Sequence, residues 1–362
     1  MGLIKGTLTF SRMCVAGSPP DLSPGKIEEC LKRNAFQDRF LSAQEKVMGW
    51  TSAENILDSS FSGAQYSLGP YLLFSLRIDR KVIPPSLLKV RVMEAEKAYL
   101  NEKGLKKIYR EQRAAIAEAV RADLLQKIQP VPAIFDVCWS VSTGALWFSS
   151  LSENAVQEFV DLFKQTFQII LAPLGPWDTP GLDKETREAI AATETQGGIS
   201  ELSVGREFMT WLWFKSAERN GSIMIPGVGD IELFFVRRLA LASGEGDYSE
   251  TVVCQGLHSD LREGKEALRR GKLIKDARIS MDRDSSKWEF TFKADRLQFQ
   301  SLKLPETQGD EEDDRSGRIL ERIYLVERAV ETMDRLFVLF LQTRCSPAWE
   351  REFDRMTKWR LA

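Results

Sequence analysis

The sequence has very few of the residues that build metal sites and catalytic triads. It contains one histidine and five cysteines among 362 residues, and no two cysteines are spaced as a CxxC pair. His258 has no serine or cysteine partner at a spacing typical of a triad, which favours an exposed residue before a helix. The scattered cysteines favour free thiols in a reducing compartment over zinc binding. We therefore expect no metal site and no cofactor.

Long apolar runs are also missing. No stretch approaches the roughly 20 apolar residues that a membrane helix requires. The opening stretch MGLIKGTLTFSRMC is too short and too interrupted for a signal peptide. Walker loops are absent as well, because GSPPDLSPGK lacks both their spacing and their final serine or threonine. We expect a cytoplasmic protein with no membrane partner.

Clustered carboxylates, which a metal-dependent nuclease needs, are sparse. Asp282 and Asp284 flank a predicted hairpin turn, and the acidic run at 310–314 lies between a predicted strand and a predicted helix. Solvated turn residues are the simpler interpretation of both groups. We predict no catalytic residue and no enzyme, and a metal-dependent exodeoxyribonuclease stays open as an alternative.

The sequence does have a strongly segregated charge. The whole chain carries 50 basic and 52 acidic residues, which gives a net charge of −2. Residues 80–130 contain twelve basic and six acidic residues, so this segment is +6 and the remainder is −8. Such a segment is typical either of a solvated helix pair or of a surface that meets phosphate.

This basic segment predicts two helices, over residues 87–102 and 105–128, with Ser86 as a cap before the first and Gly104 between them. Helical spacing places two sets of side chains on opposite faces of the second helix. The apolar seam consists of Leu105, Ile108, Ala115, Ile116 and Ala119. The basic stripe consists of Lys106, Arg110, Arg113 and Arg121.

Strand patterns surround the basic segment, so we predict an α+β fold with mixed or antiparallel sheets and an inserted two-helix hairpin. Alternating or buried apolar runs include LTFSRMCV, YLLFSLRI, AIFDVCWSV and IELFFVRRLAL. The predicted domains are a central α+β domain of residues 1–80 plus 131–175, the basic hairpin at 81–130, and a C-terminal α+β domain at 176–362.

An aromatic cluster follows the predicted boundary between the central and C-terminal domains. The stretch FMTWLWFKS contains Phe208, Trp211, Trp213 and Phe214. Exposed aromatic rings can stack on the bases of single strands. Alternating tryptophan and leucine is more often a packing pattern, so we expect these rings in a core or a subunit interface.

Several stretches occur in an order and spacing that are distinctive together. In the first half they are LIKGTLTFSRM, KIEECLKRNAF, VMGWTSA with Met48, Gly49 and Trp50, RKVIPPSLLK, and VCWSVSTGALWF. In the second half they are LREGKEALRRGKLIKDARISMDRDSSKWEFTFKADRLQFQSLKLP, with Gly271 and Lys272 at a Gly-Lys strand. In these features the chain resembles the bacterial recombination-associated protein RdgC family.

The resemblance implies a homodimer that closes into a ring around double-stranded DNA. The family binds DNA without strong sequence preference and restrains RecA-dependent recombination. The expected partners are therefore double-stranded DNA, a second copy of the chain, and RecA, directly or through competition for DNA, in the nucleoid. A ring with a basic hole would also account for a +6 segment in an acidic chain.

We predict phosphate contacts from cations of the basic hairpin and of the Gly-Lys strand. They are Lys81, Lys89, Lys103, Lys106, Lys107, Arg110, Arg113, Arg121, Lys272 and Lys275. No helix-turn-helix, zinc-finger or RNP pattern is present, so the sequence predicts no base-specific contacts. A protein-docking scaffold that uses the same charged helices without binding DNA is a further alternative.

Overall fold

A computed structural model describes residues 2–16, 23–38, 44–62, 66–195, 201–243, 250–256, 262–306 and 315–361. Within these residues the chain forms thirteen strands and nine α-helices, which confirms the α+β prediction. The strands are β1 (Leu8–Ala16), β2 (Lys46–Ser52), β3 (Ser67–Leu68), β4 (Tyr71–Arg80), β5 (Val131–Ser140), β6 (Ala145–Phe148), β7 (Ile170–Pro173), β8 (Ser222–Ile225), β9 (Gly229–Ala242), β10 (Thr251–Gln255), β11 (Leu273–Arg283), β12 (Ser286–Lys293) and β13 (Gln298–Lys303). The helices are α1 (Pro24–Arg33), α2 (Pro85–Lys103), α3 (Arg110–Lys127), α4 (Glu153–Phe167), α5 (Lys184–Thr195), α6 (Glu201–Glu218), α7 (Arg262–Arg269), α8 (Arg315–Arg344) and α9 (Trp349–Leu361).

The chain forms two compact units. The first unit comprises Met1–Pro19, Cys138–Val160 and Ile170–Ala362. The second comprises Pro20–Val137 and Asp161–Ile169, and it contains both helices of the basic segment. The division into domains at residues 80, 131 and 175 stays a prediction.

The first unit contains an antiparallel sheet with the strand order β10-β9-β11-β12-β13-β1-β6. In addition, β7 pairs with β1 and β8 pairs with β9. The hairpin of β11 and β12 turns through Asp284 and Ser285, whose φ angles are 52° and 62°. Two successive residues with positive φ match the right-handed twist of a hairpin, so the predicted turn is confirmed.

The core of the first unit contains the aromatic cluster of α6. Phe208 and Trp211 are 0% and 1% exposed, and Trp213 and Phe214 are buried as well. The ring of Phe208 packs edge-on against that of Phe337 in α8, with 5.1 Å between centroids. The packing prediction is therefore confirmed, and the cluster offers no exposed ring on which a base could stack.

The second unit has its own core around Trp50. In this unit β4 is hydrogen-bonded to β2, β3 and β5. Trp50 of β2 is fully buried, and its indole N–H donates to the Thr166 hydroxyl at 2.8 Å. The Phe74 ring of β4 packs edge-on against this indole at 5.1 Å, so an aromatic centre supports the elements that carry the basic helices.

Three helices of the first unit, α5, α6 and α9, were not predicted as helices. Helix α5 lies inside the stretch 173–198, which its prolines and glycines indicated as a boundary. Asp183 precedes this helix and accepts the backbone N–H of Thr186 at 2.7 Å, as an N-cap residue does. The highly charged WEREFDRMTKWRL forms α9, where Glu352 and Met356 are buried.

Candidate nucleic-acid interface

Helices α2 and α3 contact each other and are joined by residues 104–109. Helix α2 follows Pro84 directly, and Ser86 lies inside it, so the predicted Ser86 cap was wrong. Gly104 has a φ of 63° and ends the helix in the left-handed conformation that glycine favours. Helix α3 starts at Arg110, five residues later than predicted, and its Gln112 accepts the Tyr109 N–H at 3.1 Å.

The predicted apolar seam is largely wrong. Leu105 is 43% exposed, and Ala115 and Ala119 are also exposed, whereas Ile108 is buried. The later start of α3 accounts for Leu105, which lies before the helix and does not follow its 3.6-residue period. Among the described residues α2 buries no side chain, and α3 buries only Leu124 and Leu125.

Three predicted cations of the hairpin already have a carboxylate partner. Arg113 Nε lies 2.8 Å from Glu96 Oε1, and Arg121 Nη2 lies 2.8 Å and 2.9 Å from the two oxygens of Glu45. The hydrogen bond to Glu45 raises the pKa of Arg121 above its ordinary value. Lys103 Nζ lies a looser 3.8 Å from Glu102. Each partner carboxylate weakens the attraction of its cation for phosphate.

Other cations of the hairpin are exposed and have no carboxylate within 4 Å among the residues that the structure describes. They are Lys89, Lys97, Lys106, Lys107 and Arg110. Three of them lie within five residues at the connection of the helices. Buried Ile108 anchors this connection between Lys107 and Arg110, so that their charged ends stay in solvent. We call Lys106, Lys107 and Arg110 the tip cations.

Lys97 belongs to this exposed group although it was not predicted as a site residue. The sequence signal was its place in the +6 segment, which does not distinguish paired from unpaired cations. Lys81, a predicted contact, is only half-buried, and its backbone N–H donates to the Glu45 carbonyl at 2.9 Å.

The two predicted cations of the first unit differ sharply. Lys275 of β11 is exposed. Lys272 is 7% exposed, and its ammonium donates to Glu250 Oε2 at 2.9 Å, which lowers the pKa of that carboxyl. Because its charge is buried and used within the fold, Lys272 is withdrawn from the predicted contacts.

Of the carboxylates considered for a nuclease site, Asp284 is already engaged in ion pairs. Asp284 forms an ion pair with Arg328, and a longer one of 3.7 Å with Arg283. Across the described ranges, no group of three or more His, Cys, Asp or Glu residues is placed to hold a metal ion. His258 and the acidic run at 310–314 lie outside the described residues.

In the part of the chain that the structure describes, no helix combines the length and the hydropathy that membrane crossing requires. The longest, α8, buries fourteen of its side chains within the protein.

Comparison with known proteins bears on the first half of the chain. The sequence model of the RdgC family, described as "Putative exonuclease, RdgC", matches residues 15–180. This range contains α2, α3 and the tip cations. Curated proteins gave no match. The match confirms the resemblance to the RdgC family over residues 15–180, a little under half of the chain.

Proposed function

We propose that the protein binds double-stranded DNA without sequence preference through the tip cations. The observation that carries the proposal is the group of exposed cations at 106–110 that have no carboxylate within 4 Å among the described residues, within a segment of charge +6. Phosphate contacts of this kind attract any DNA sequence and release counterions, so their strength depends steeply on salt. Lys89 and Lys97 would extend the basic surface along α2.

The test is charge reversal of the tip cations in the full-length chain. The variant Lys106→Glu, Lys107→Glu, Arg110→Glu is compared with the wild type by fluorescence anisotropy of a labelled duplex at several salt concentrations. We expect weaker binding on every sequence, and a slope of log Kd against log salt that falls by about 3, since each phosphate contact contributes about 0.9.

A matched control carries the same change in net charge at exposed cations outside the hairpin. Lys26→Glu, Arg33→Glu and Lys184→Glu serve this purpose, since all three side chains are exposed. The control should bind as the wild type does. Wild-type affinity and salt slope in the tip variant would show that the tip cations are not the DNA contact.

We further propose that the protein assembles as a homodimer and restrains RecA-dependent recombination by competing for DNA. The family resemblance supports both parts. Apolar side chains on α2 support self-association, because Val90 is 51% and Met93 is 59% exposed.

In a RecA strand-exchange reaction, we expect inhibition by the wild type and none by the tip variant. Equal inhibition by both would favour direct contact with RecA.

A second candidate function is the exonuclease activity that the family description names. Its test is incubation of linear duplex with Mg²⁺ or Mn²⁺ and analysis of released nucleotides. We expect no release above that of a heat-denatured sample. Release that is abolished by Asp282→Ala and Asp284→Ala would assign a nuclease centre to the β11–β12 turn and overturn the non-enzymatic proposal.

A further inference from the structure

Strand β9 contains an irregularity that changes the direction of two arginines. Leu239 pairs with Ala277 of β11 and Phe235 pairs with Ile279, so residues 236–238 lie opposite the single residue Arg278. Within this bulge Arg237 has a φ of 58°, in the left-handed region that non-glycine residues seldom occupy. Bulges of this kind re-aim side chains and occur often at binding sites.

The bulge brings three arginines to one cavity of the first unit. The cavity has a volume of about 430 Å³ and is lined by Arg237, Arg238, Gln255, Gly256, Arg278 and Glu289. The Gly256 N–H donates to the Arg237 carbonyl at 2.9 Å, which ties the end of β10 to the bulge. We call this cavity the arginine groove.

Two of the arginines are held firmly in place. Arg278 donates to Glu289 Oε1 at 2.9 Å and to the Ser301 carbonyl at 3.1 Å. Arg238 Nε donates to Asp276 at 3.2 Å, and that carboxylate is buried. Both guanidinium groups are thus oriented before any ligand arrives, which lowers the entropic cost of binding.

Arg237 differs, because its side chain is 61% exposed and the nearest carboxylate among the described residues, Glu289, is 3.8 Å away. Glu289 is engaged at shorter distance by Arg278. Among the described residues, three arginines face two carboxylates, Glu289 of the lining and Asp276, which pairs with Arg238, so the groove has a net positive charge. A planar guanidinium with unused N–H donors matches the oxygens of a phosphate group.

The lining also indicates the kind of phosphate. Among the lining residues that the structure describes, none has an apolar side chain. Sites for free nucleotides are usually lined by apolar side chains with a few polar groups, which these six residues do not supply. A backbone phosphodiester needs only charge and hydrogen-bond donors.

We propose that the arginine groove binds a phosphodiester of DNA, with Arg237 as the contact and with Arg238 and Arg278 as oriented neighbours. The proposal rests on the proposed DNA-binding function and adds a contact that does not involve the basic hairpin. It predicts that binding at the groove is independent of sequence, because no base edge is read.

The test substitutes Arg237, since removal of Arg238 or Arg278 would leave Asp276 or Glu289 without its partner. Arg237→Gln should reduce the salt slope of duplex binding by about 1 and weaken binding equally on unrelated sequences. Arg296→Gln is the matched control, because Arg296 is 55% exposed and has one loose carboxylate partner, Glu153, at 3.5 Å. The control should leave the slope unchanged.

A second measurement needs no variant. Phenylglyoxal modifies exposed arginines, and mass spectrometry of peptides reports each site in the wild-type protein. Duplex DNA should protect Arg237 and not Arg296. Protection by inorganic phosphate but not by DNA would assign the groove to a small anion and overturn the proposal, as would no protection at all.

The outcome also separates this proposal from the proposed function. If the wild type binds duplex and the tip variant does not, while Arg237→Gln binds as the wild type does, the groove proposal fails and DNA binding by the hairpin stands. If the wild type does not bind duplex, DNA binding itself is wrong.

Discussion

Gly49 of β2 has no room for a side chain. A Cβ atom at this position would lie 2.5 Å from both the backbone N and the Cα of Phe36. The close approach comes from two hydrogen bonds, in which Phe36 N donates to the Trp50 carbonyl at 2.8 Å and Trp50 N donates to Asn34 at 3.0 Å. The Met48-Gly49-Trp50 signature is thus explained by packing of backbone against backbone.

We expect Gly49→Ala to lower the free energy of unfolding by about 1–3 kcal/mol or more, as overpacking in a tight core does. Gly25→Ala is the control, because a Cβ there meets nothing within 4 Å and its effect should stay within about 1 kcal/mol. Urea denaturation followed by tryptophan fluorescence measures both. Equal stability of the two variants would contradict the explanation.

Arg12 and Asp334 form a buried ion pair within the first unit. The two guanidinium nitrogens lie 2.8 Å and 2.5 Å from the two carboxylate oxygens, and both side chains are less than 10% exposed. Two parallel hydrogen bonds of this geometry satisfy both charges. The pair joins β1 to α8, two elements more than 300 residues apart in the chain.

Asp334→Ala should destabilise the protein by about 3–5 kcal/mol, because it leaves the Arg12 charge buried without a partner. The double variant Arg12→Met, Asp334→Leu should recover most of this loss, since an apolar pair of similar volume avoids the desolvation of both charges. Denaturant unfolding of the wild type and of the two variants measures both the loss and the recovery. No recovery in the double variant would mean that packing, and not charge, explains the loss.

The candidate site shows what a sequence cannot reveal about single residues. Arg110, Arg113 and Arg121 have the same chemistry and neighbouring positions, yet only Arg110 has no ion pair among the described residues. The partners of the others, Glu96 and Glu45, lie 17 and 76 residues away in the chain. Charge composition therefore predicted the basic surface, whereas ion pairing between distant residues decides which cations stay available.

At the scale of elements, the ion pair between Glu96 of α2 and Arg113 of α3 has a testable consequence. Exposed pairs of this kind contribute only about 0–1 kcal/mol to stability, so their removal should leave the fold intact. Glu96→Gln removes a negative charge and releases Arg113 for phosphate. We expect tighter duplex binding and a salt slope steeper by up to about 1.

Glu28→Gln is the matched control for Glu96→Gln. It makes the same change of charge in α1 and releases Lys32, whose ammonium lies 2.6 Å from Glu28. Anisotropy titrations of both variants at several salt concentrations give the comparison. Equal gains in the two variants would indicate a nonspecific effect of net charge, and would contradict a particular role for the hairpin.

The N-cap residue of α5, Asp183, should make the stability of the protein depend on pH in the acidic range. The N–H of Thr186, helped by the Gln342 amide, lowers the pKa of Asp183 to about 2 from an ordinary value of 3.8. The ionised cap therefore stabilises the folded chain fully above the unfolded pKa, and this contribution disappears as the pH falls towards 2. Asp183→Ala should lower the urea midpoint at pH 7, and the difference from the wild type should shrink as the pH falls below 3.8 and be lost below pH 2. A difference that does not shrink between pH 4 and pH 2 would show that the carboxylate charge is not its cause.

Elements with a strong local pattern were predictable, and those that depend on tertiary packing were not. Strand β4 contains a continuous buried run that is mostly apolar, and β11 alternates the buried residues Ala277, Ile279 and Met281 with less buried polar residues. Helix α5 lies in a stretch whose prolines and glycines favour loops, and α9 is so highly charged that its buried face is narrow. In both helices contacts with the rest of the first unit outweigh the local signals.

For the whole molecule, the segregation of charge and the exposed apolar surface of α2 lead to a prediction on assembly. If α2 lies in the dimer interface, Val90→Asp and Met93→Asp together should shift the protein from dimer to monomer, because each places a charge in a surface that association desolvates. Analytical ultracentrifugation gives the mass directly. Lys97→Asp on the same helix is the control and should leave the dimer intact.

A closed ring around DNA predicts retention of circular DNA under conditions in which binding by charge alone is lost. A dimer that encircles DNA, once its closing contacts are covalently crosslinked, should retain closed circular duplex through a high-salt wash, because salt removes phosphate contacts but does not open a ring. Linear duplex of the same length should slide out under the same wash. Loss of both forms would indicate an open dimer that binds by charge alone. The tip variant weakens only the phosphate contacts, so it should load few circles. The circles that it does load should still be retained after crosslinking and the high-salt wash. Retention of circles by this variant would therefore report encirclement and not affinity.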